Sequence, residues 1–171
     1  MEPNVEREPS LAELARTCLA KAEFATVISC AGPGADALAV VKVKDASGGR
    51  PLVELDRSSA MVRRLAVCPV ATVSVAAQTP FTALYLTGPA TPCRPTARGM
   101  RTYRVSLLSA RLVAGTSVPV PLGAFHAAEP DPLWRYSSQT VAHLGEAHAA
   151  ELLACVRAHG SPEAQQSFPG R

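Results

Sequence analysis

Residues 26–76, TVISCAGPGADALAVVKVKDASGGRPLVELDRSSAMVRRLAVCPVATVSVA, decide the fold of this chain. Three short runs, Thr26 to Cys30, Leu38 to Lys44 and Leu52 to Leu55, are rich in β-branched residues and read as strands. Ala31-Gly32-Pro33-Gly34 and Ser47-Gly48-Gly49 supply the turns between them. Ser58 to Val67 has helical spacing, and Cys68-Pro69 ends it, because the residue before proline avoids helical geometry. Val70 to Ala76 then returns to strand. Outward from this stretch, Ala83 to Gly88 and Tyr103 to Leu108 read as further strands, with one more extended run from Arg111 to Val120. Upstream, Ser10-Leu11-Ala12-Glu13 forms a capping box for a helix whose apolar stripe is Leu11, Leu14, Ala15, Cys18, Leu19 and Ala22. About six strands joined mostly by short turns, with one helix inserted after the third, predict an α+β chain built on an antiparallel β-barrel.

A different pattern begins near residue 128. Asp131 is placed to cap a helix with Pro132 at its first position, where the missing N–H costs nothing, and Gly160 stops it. Val141, Leu144, His148, Leu152, Cys155 and His159 fall on one stripe. His148 on that stripe reads equally as a buried ligand or as a core histidine satisfied locally. His143 lies off the stripe, on a face made small by Ala147, Ala150 and Ala154. The two histidines are five apart, about 140° around a helix axis, so they do not share a face as two zinc ligands on one helix must. This reading divides the chain into a barrel domain at 10–125, a helical segment at 126–160 and a polar, mobile tail at 161–171.

The stretch from Asp131-Pro132-Leu133 into His143-Leu144-Gly145-Glu146-Ala147-His148 resembles the C-terminal domain of HugZ-like haem-utilisation proteins. There, Asp-Pro-Leu leads into a His-Met-Asn-x-Asp-His helix. Both histidines stand here, while Gly145 and Ala147 occupy the Asn and Asp positions. Such polar neighbours orient imidazoles and fix their tautomers, which Gly145 and Ala147 do not do. Leu84-Tyr85-Leu86-Thr87-Gly88-Pro89-Ala90 resembles the mid-barrel strand of pyridoxamine-phosphate-oxidase-like FMN-binding barrels. The resemblance spans roughly residues 10 to 160. It implies an antiparallel split β-barrel, a homodimer and a function among flavin-dependent oxidoreductases, haem-binding or haem-degrading proteins, and regulators that lack catalysis.

Composition narrows these classes. With 47% apolar residues the chain can bury a substantial core, and its 17 basic against 14 acidic residues, net +3, mark no polyanion partner. Eight aromatic residues offer few platforms for stacking bases, so no nucleic-acid partner is expected. The first ten residues lack the basic and then apolar run of a signal peptide, and the longest apolar stretch, Leu65 to Ala77, is too short and interrupted to cross a bilayer. Five cysteines without a Cys-x-x-Cys pair form no disulfide framework or thiolate zinc site. The expectation is a cytoplasmic protein without a membrane partner.

For haem, the resemblance points to His143 and His148 as iron ligands, with His126 third. His159, at a helix C-terminus, reads as a dipole partner. Arg94, Arg98, Arg101 and Arg104 are candidates for the propionates, or form a solvated loop. HugZ-like haem oxygenases take a ligand from their C-terminal tail, and Ser161 to Arg171 contains no histidine. For FMN, the phosphate candidates are Arg16, Lys42, Arg57, Ser58, Ser59, Arg63 and Arg64. Lys42 shares a strand face with Lys44, Leu38 and Val40, and either aims a charge at a ligand or solvates the strand. The helix after Ser58-Ser59 lacks the His-Thr pair of FMN-holding relatives. No serine, cysteine or histidine sits in a nucleophile elbow. The reading ranks haem or tetrapyrrole binding first, with an FMN-dependent oxidoreductase and a cofactor-free regulatory or interaction module as alternatives. Whether the protein is an enzyme is left open.

Overall fold

The computed structural model describes residues 8–30, 37–77, 80–93, 99–132, 150–151 and 154. The chain forms two compact units, Met1–Pro132 and Leu133–Arg171. In the first, the element order is α1 (Leu11–Lys21), β1 (Phe24–Ser29), β2 (Leu38–Ala46), β3 (Arg50–Asp56), α2 (Ala60–Val67), β4 (Val70–Ala76), β5 (Ala83–Pro92), β6 (Met100–Val105), β7 (Ser109–Ala114), β8 (Thr116–Val120) and α3 (Leu122–Ala127). In the second, Ala150, Glu151 and Ala154 are helical. The rest of the helix expected over 133–159, with His143, His148 and His159, lies outside the described residues.

All pairings are antiparallel. The sheet runs β4-β1-β2-β3-β6-β5-β7-β8, and a further β4–β5 pairing closes six strands into a barrel with β7 and β8 as an added hairpin. The expected split barrel is therefore present. Alternation along the strands supplies its core. Val27 faces Val73, Val73 faces Leu86, and Val43 faces Val53, which in turn faces Tyr103. All six are at most 4% exposed. The opposite face of β2, with Leu38, Val40, Lys42 and Lys44, points outward.

Strand β5 changes partner midway. Its residues Ala83–Thr87 pair with β7, whereas Ala90–Pro92 pair with β6. The chain linking β6 to β7 crosses at the change, with Ser106 N–H donating to Pro89 O at 2.9 Å and Leu108 N–H to Thr87 O at 2.8 Å. Gly88 permits this crossing, because a Cβ there would run into the Ser106 carbonyl. The extended run expected over 111–120 is in fact a hairpin, reversed at Gly115, whose φ of 75° is a left-handed conformation that suits glycine.

The leading helix matches its capping signal. Ser10 N–H donates to Glu13 Oε2 at 2.7 Å, and Ser10 Oγ accepts from Glu13 N–H at 3.3 Å. Its buried face differs from the expected stripe. Leu11 is 38% exposed, while Ala12, Arg16 and Thr17 join Ala15, Cys18 and Leu19 inside. The cause is α3, an element without a sequence signal, which packs against α1 and caps this side of the barrel.

Candidate functional site

The best-defined polar constellation joins α1, the β2–β3 hairpin and α3. Gly48 and Gly49 carry φ of 79° and 73°, which lets the chain reverse tightly between the paired residues Ala46 and Arg50. A Cβ on Gly49 would strike the Arg16 guanidinium and the Phe125 ring, so glycine also makes the close approach possible. Arg16 is 6% exposed; its Nη2 lies 3.1 Å from Asp45 Oδ2, and its guanidinium carbon sits 5.5 Å from the Phe125 centroid. Burial pushes the Asp45 carboxyl above the usual carboxylate range, and the Arg16 charge only partly opposes this. Arg16 thus engages Asp45 through Nη2, while its buried Nε and Nη1 have no hydrogen-bond partner among the described residues.

His126 sits at the edge of this constellation. Its Nδ1 is 2.7 Å from the Gly48 carbonyl oxygen, and its ring meets Phe125 edge-on, with centroids 5.7 Å apart and planes at 74°. A carbonyl only accepts, so Nδ1 is the donor of this bond. The side chain is exposed.

The other sequence candidates fall elsewhere. Ser58 lies past the end of β3, about seven residues or some 23 Å along the strand from the hairpin that holds His126. Its backbone N–H donates to Asp56 Oδ1 at 2.7 Å, and its hydroxyl donates to the same oxygen. These bonds, the hydroxyl's first, hold the Asp56 carboxyl below the usual range. Arg57 Nε donates to Met100 O at 3.2 Å, and Arg63 Nη1 to Ser58 O at 2.9 Å. Arg101 is exposed on β6 at this same end, opposite Leu55. Lys42 is exposed on the outer face of β2, opposite Phe24 and Glu54, so it does not point into the barrel. Hence Ser58 and Arg101 share one end of β3, with Lys42 one register position away on the outer face of β2, and His126 lies at the other end. Arg98 and Arg94, like His143 and His148, lie outside the described residues.

Sequence reasoning missed the partnership of Arg16, Asp45 and Phe125, which join from three separate elements. The Gly48-Gly49 pair was the visible part of its signal. Among the described residues, no group of three or more His, Cys, Asp or Glu is placed to hold a metal ion. A haem iron, by contrast, needs a single suitable protein donor, and His126 Nε2 is one. Among the described residues, shallow depressions include two of similar size. One of about 400 Å³ is bounded by Pro9, Glu13, Glu129, Pro130, Asp131 and Pro132, and one of about 420 Å³ adjoins Cys18, Lys21 and Phe24. Neither includes His126 or Ser58.

This barrel is shared with known structures. The chain is similar to a haem-binding protein from Mycobacterium smegmatis, with a TM-score of 0.64 and 22% identity over 88% of this chain and 74% of that one. It is also similar to a protein of unknown function from Agrobacterium tumefaciens (TM-score 0.51, 12% identity, 66% of this chain and 61% of that one). A third likeness is to General Stress Protein 26 from Bacillus anthracis (TM-score 0.50, 11% identity, 64% of this chain and 98% of that one). At these identities the likeness establishes the fold alone. No protein-family model and no curated protein matches the sequence. No helix among the described residues is long and apolar enough to cross a membrane.

Proposed function

We propose that this protein binds haem or a closely related tetrapyrrole and serves in haem utilisation, as a HugZ-like member of the split-barrel proteins. One observation carries the reading. The fold is similar to that of the Mycobacterium smegmatis haem-binding protein over 88% of the chain, against 66% and 64% for the other two likenesses.

The chain offers imidazoles at His143, His148 and His126 as candidate iron ligands and Arg98 and Arg101 as candidates for the propionates, with Arg101 and His126 at opposite ends of β3 and so not serving one haem. Bound haem supplies a redox-active iron; the chain's part is to ligate it, orient it and limit water around it. FMN remains the alternative, with Ser58, whose N–H and hydroxyl both donate to Asp56 Oδ1, among its candidate phosphate ligands. The protein is further read as cytoplasmic and as a homodimer. Exposed Phe24, Leu38 and Val40, 56, 58 and 76% accessible on the outer face of β1 and β2, support the dimer.

The test is to add haemin and FMN separately to the purified chain and record spectra and thermal stability. A ligand present at about 100 times its Kd stabilises the native state by about 2.7 kcal/mol. A Soret band with a matching thermal shift is expected for haemin. Stabilisation by FMN alone would establish the oxidoreductase alternative, and a response to neither would favour the cofactor-free module.

A further inference from the structure

We infer that Cys68 and Cys93 are an oxidisable pair, closed into a disulfide by peroxide and reopened by a thiol, across the β4–β5 seam that completes the barrel. Neither residue belongs to the tetrapyrrole candidates, so the pair stands apart from the haem reading.

Register brings the two together. Val70 is opposite Pro89, and Ala90 N–H donates to Pro69 O at 2.6 Å. The antiparallel pairing therefore runs on past the start of β4 and sets Cys68 opposite Thr91. Cys93 is two residues beyond Thr91, hence on the same face and diagonal to Cys68. Both thiols are free and half-buried. The Cys93 backbone is held in place by its own N–H, which donates to Thr102 O at 2.8 Å.

Diagonal neighbours have Cα atoms about 7 to 8 Å apart, with their Cβ atoms nearer, and a disulfide spans up to about 6.8 Å between Cα atoms. Closure thus needs an approach of about 1 Å. Neither residue is locked inside a regular element. Cys68 is the C-cap of α2, with extended backbone, and Cys93 follows the last residue of β5. Cys93 S–H donates to Thr91 O at 3.7 Å, a weak bond that a turn about χ1 releases. The other described cysteines are worse placed. Cys18 is buried, and Cys30, the other diagonal neighbour of Cys68, lies where the strands part, its N–H 3.5 Å from Val70 O.

Oxidation takes two steps. One thiolate attacks a peroxide oxygen, the O–O bond breaks, and the leaving hydroxide takes up the thiol's proton as water. The second sulfur then displaces hydroxide from the sulfenic acid, forming the S–S bond and, with its own proton, a second water. Two electrons pass from the sulfurs to hydrogen peroxide. In the reducing cytoplasm proposed for this chain such a bridge is transient and redox-sensing.

The experiment is to treat the reduced full chain with hydrogen peroxide, block free thiols with iodoacetamide and map tryptic peptides without reductant. No Lys or Arg stands between Leu65 and Cys93, and Arg94 precedes a proline, so both cysteines fall on the peptide 65–98. That peptide is expected to lose two hydrogens and take up no iodoacetamide, and dithiothreitol is expected to restore both sites. Cys68→Ser and Cys93→Ser, with circular dichroism as the control for fold, are each expected to abolish the loss. The peptide alkylated twice after peroxide, or gaining oxygen without a bridge, overturns the inference. So does a bridge from Cys30 or Cys155 to either residue, or one between two chains.

Discussion

Arg16 Nη2 on α1 lies 3.1 Å from Asp45 Oδ2 on β2, with side chains only 7% and 14% exposed, and this pair fastens the leading helix to the barrel. Breaking a buried pair by removing one partner leaves the other charge uncompensated. Asp45→Ala should therefore cost about 3 kcal/mol in chemical denaturation, and the double variant Arg16→Met/Asp45→Val should regain most of it. A loss below about 1 kcal/mol in Asp45→Ala would show the pair to be dispensable.

The same carboxylate gives stability a pH dependence of definite sign. The native Asp45 pKa lies above its unfolded value, because burial outweighs the attraction of Arg16. Between the two values the native state holds more protons. This group's contribution consequently falls as pH rises from the ordinary carboxylate range through the raised native pKa. Wild type should gain stability relative to Asp45→Asn as pH is lowered through that window, measured by paired urea titrations. A constant difference would refute the assignment.

Asp56 behaves in the opposite sense. The hydroxyl and N–H of Ser58 hold its pKa down, so its contribution is present above the unfolded value and lost as pH falls through the native one. Ser58→Ala should raise the Asp56 pKa toward the ordinary range in an NMR titration. An unchanged pKa would mean that the hydroxyl bond contributes little.

Two glycines should respond in opposite ways to a side chain. Gly88→Val forces a collision with the Ser106 backbone, where nothing flexible can yield, and should cost about 3 kcal/mol or prevent folding. Gly123→Ala meets open space within a helix and should be neutral or stabilising by up to about 1 kcal/mol. A tolerated Gly88→Val would contradict the partner change at the middle of β5.

The motif histidines make separable predictions. His143→Ala should alter the Soret band of the haem complex while leaving the melting temperature unchanged, since it lies off the apolar stripe. His148→Ala should lower stability by about 1 kcal/mol or more with or without haem. Wild-type spectra from both variants would remove the motif from the ligand set.

The proposed homodimer predicts that Val40→Glu yields a monomer by light scattering with unchanged circular dichroism. A dimer that survives the substitution would move the interface away from the outer face of β1 and β2.

By itself the sequence determined the existence and kind of most elements. Alternating Val and Leu between turn residues announces strands because side-chain direction repeats every two residues, and Ser10 with Glu13 announces a helix start because both caps are local bonds. Ser47-Gly48-Gly49 was likewise legible as a turn, its left-handed backbone being a property of glycine. What only the tertiary structure decided involves residues distant along the chain. The division of β5 between β6 and β7 depends on a crossing at Gly88, and α3 carries no cap or long periodic stripe of its own. Arg16 read as a candidate phosphate ligand, and only the fold shows it buried against Phe125 of α3, just as Thr17 became the acceptor for Asp131 N–H, 114 positions away. Lys42 and Ser58 were chosen for their chemistry, yet strand pleat turned the first outward and Asp56 engaged the second. Side-chain type states what a residue can do. Only packing between distant segments sets what it faces, because burial, tautomer and charge partner are fixed by neighbours that local sequence does not name.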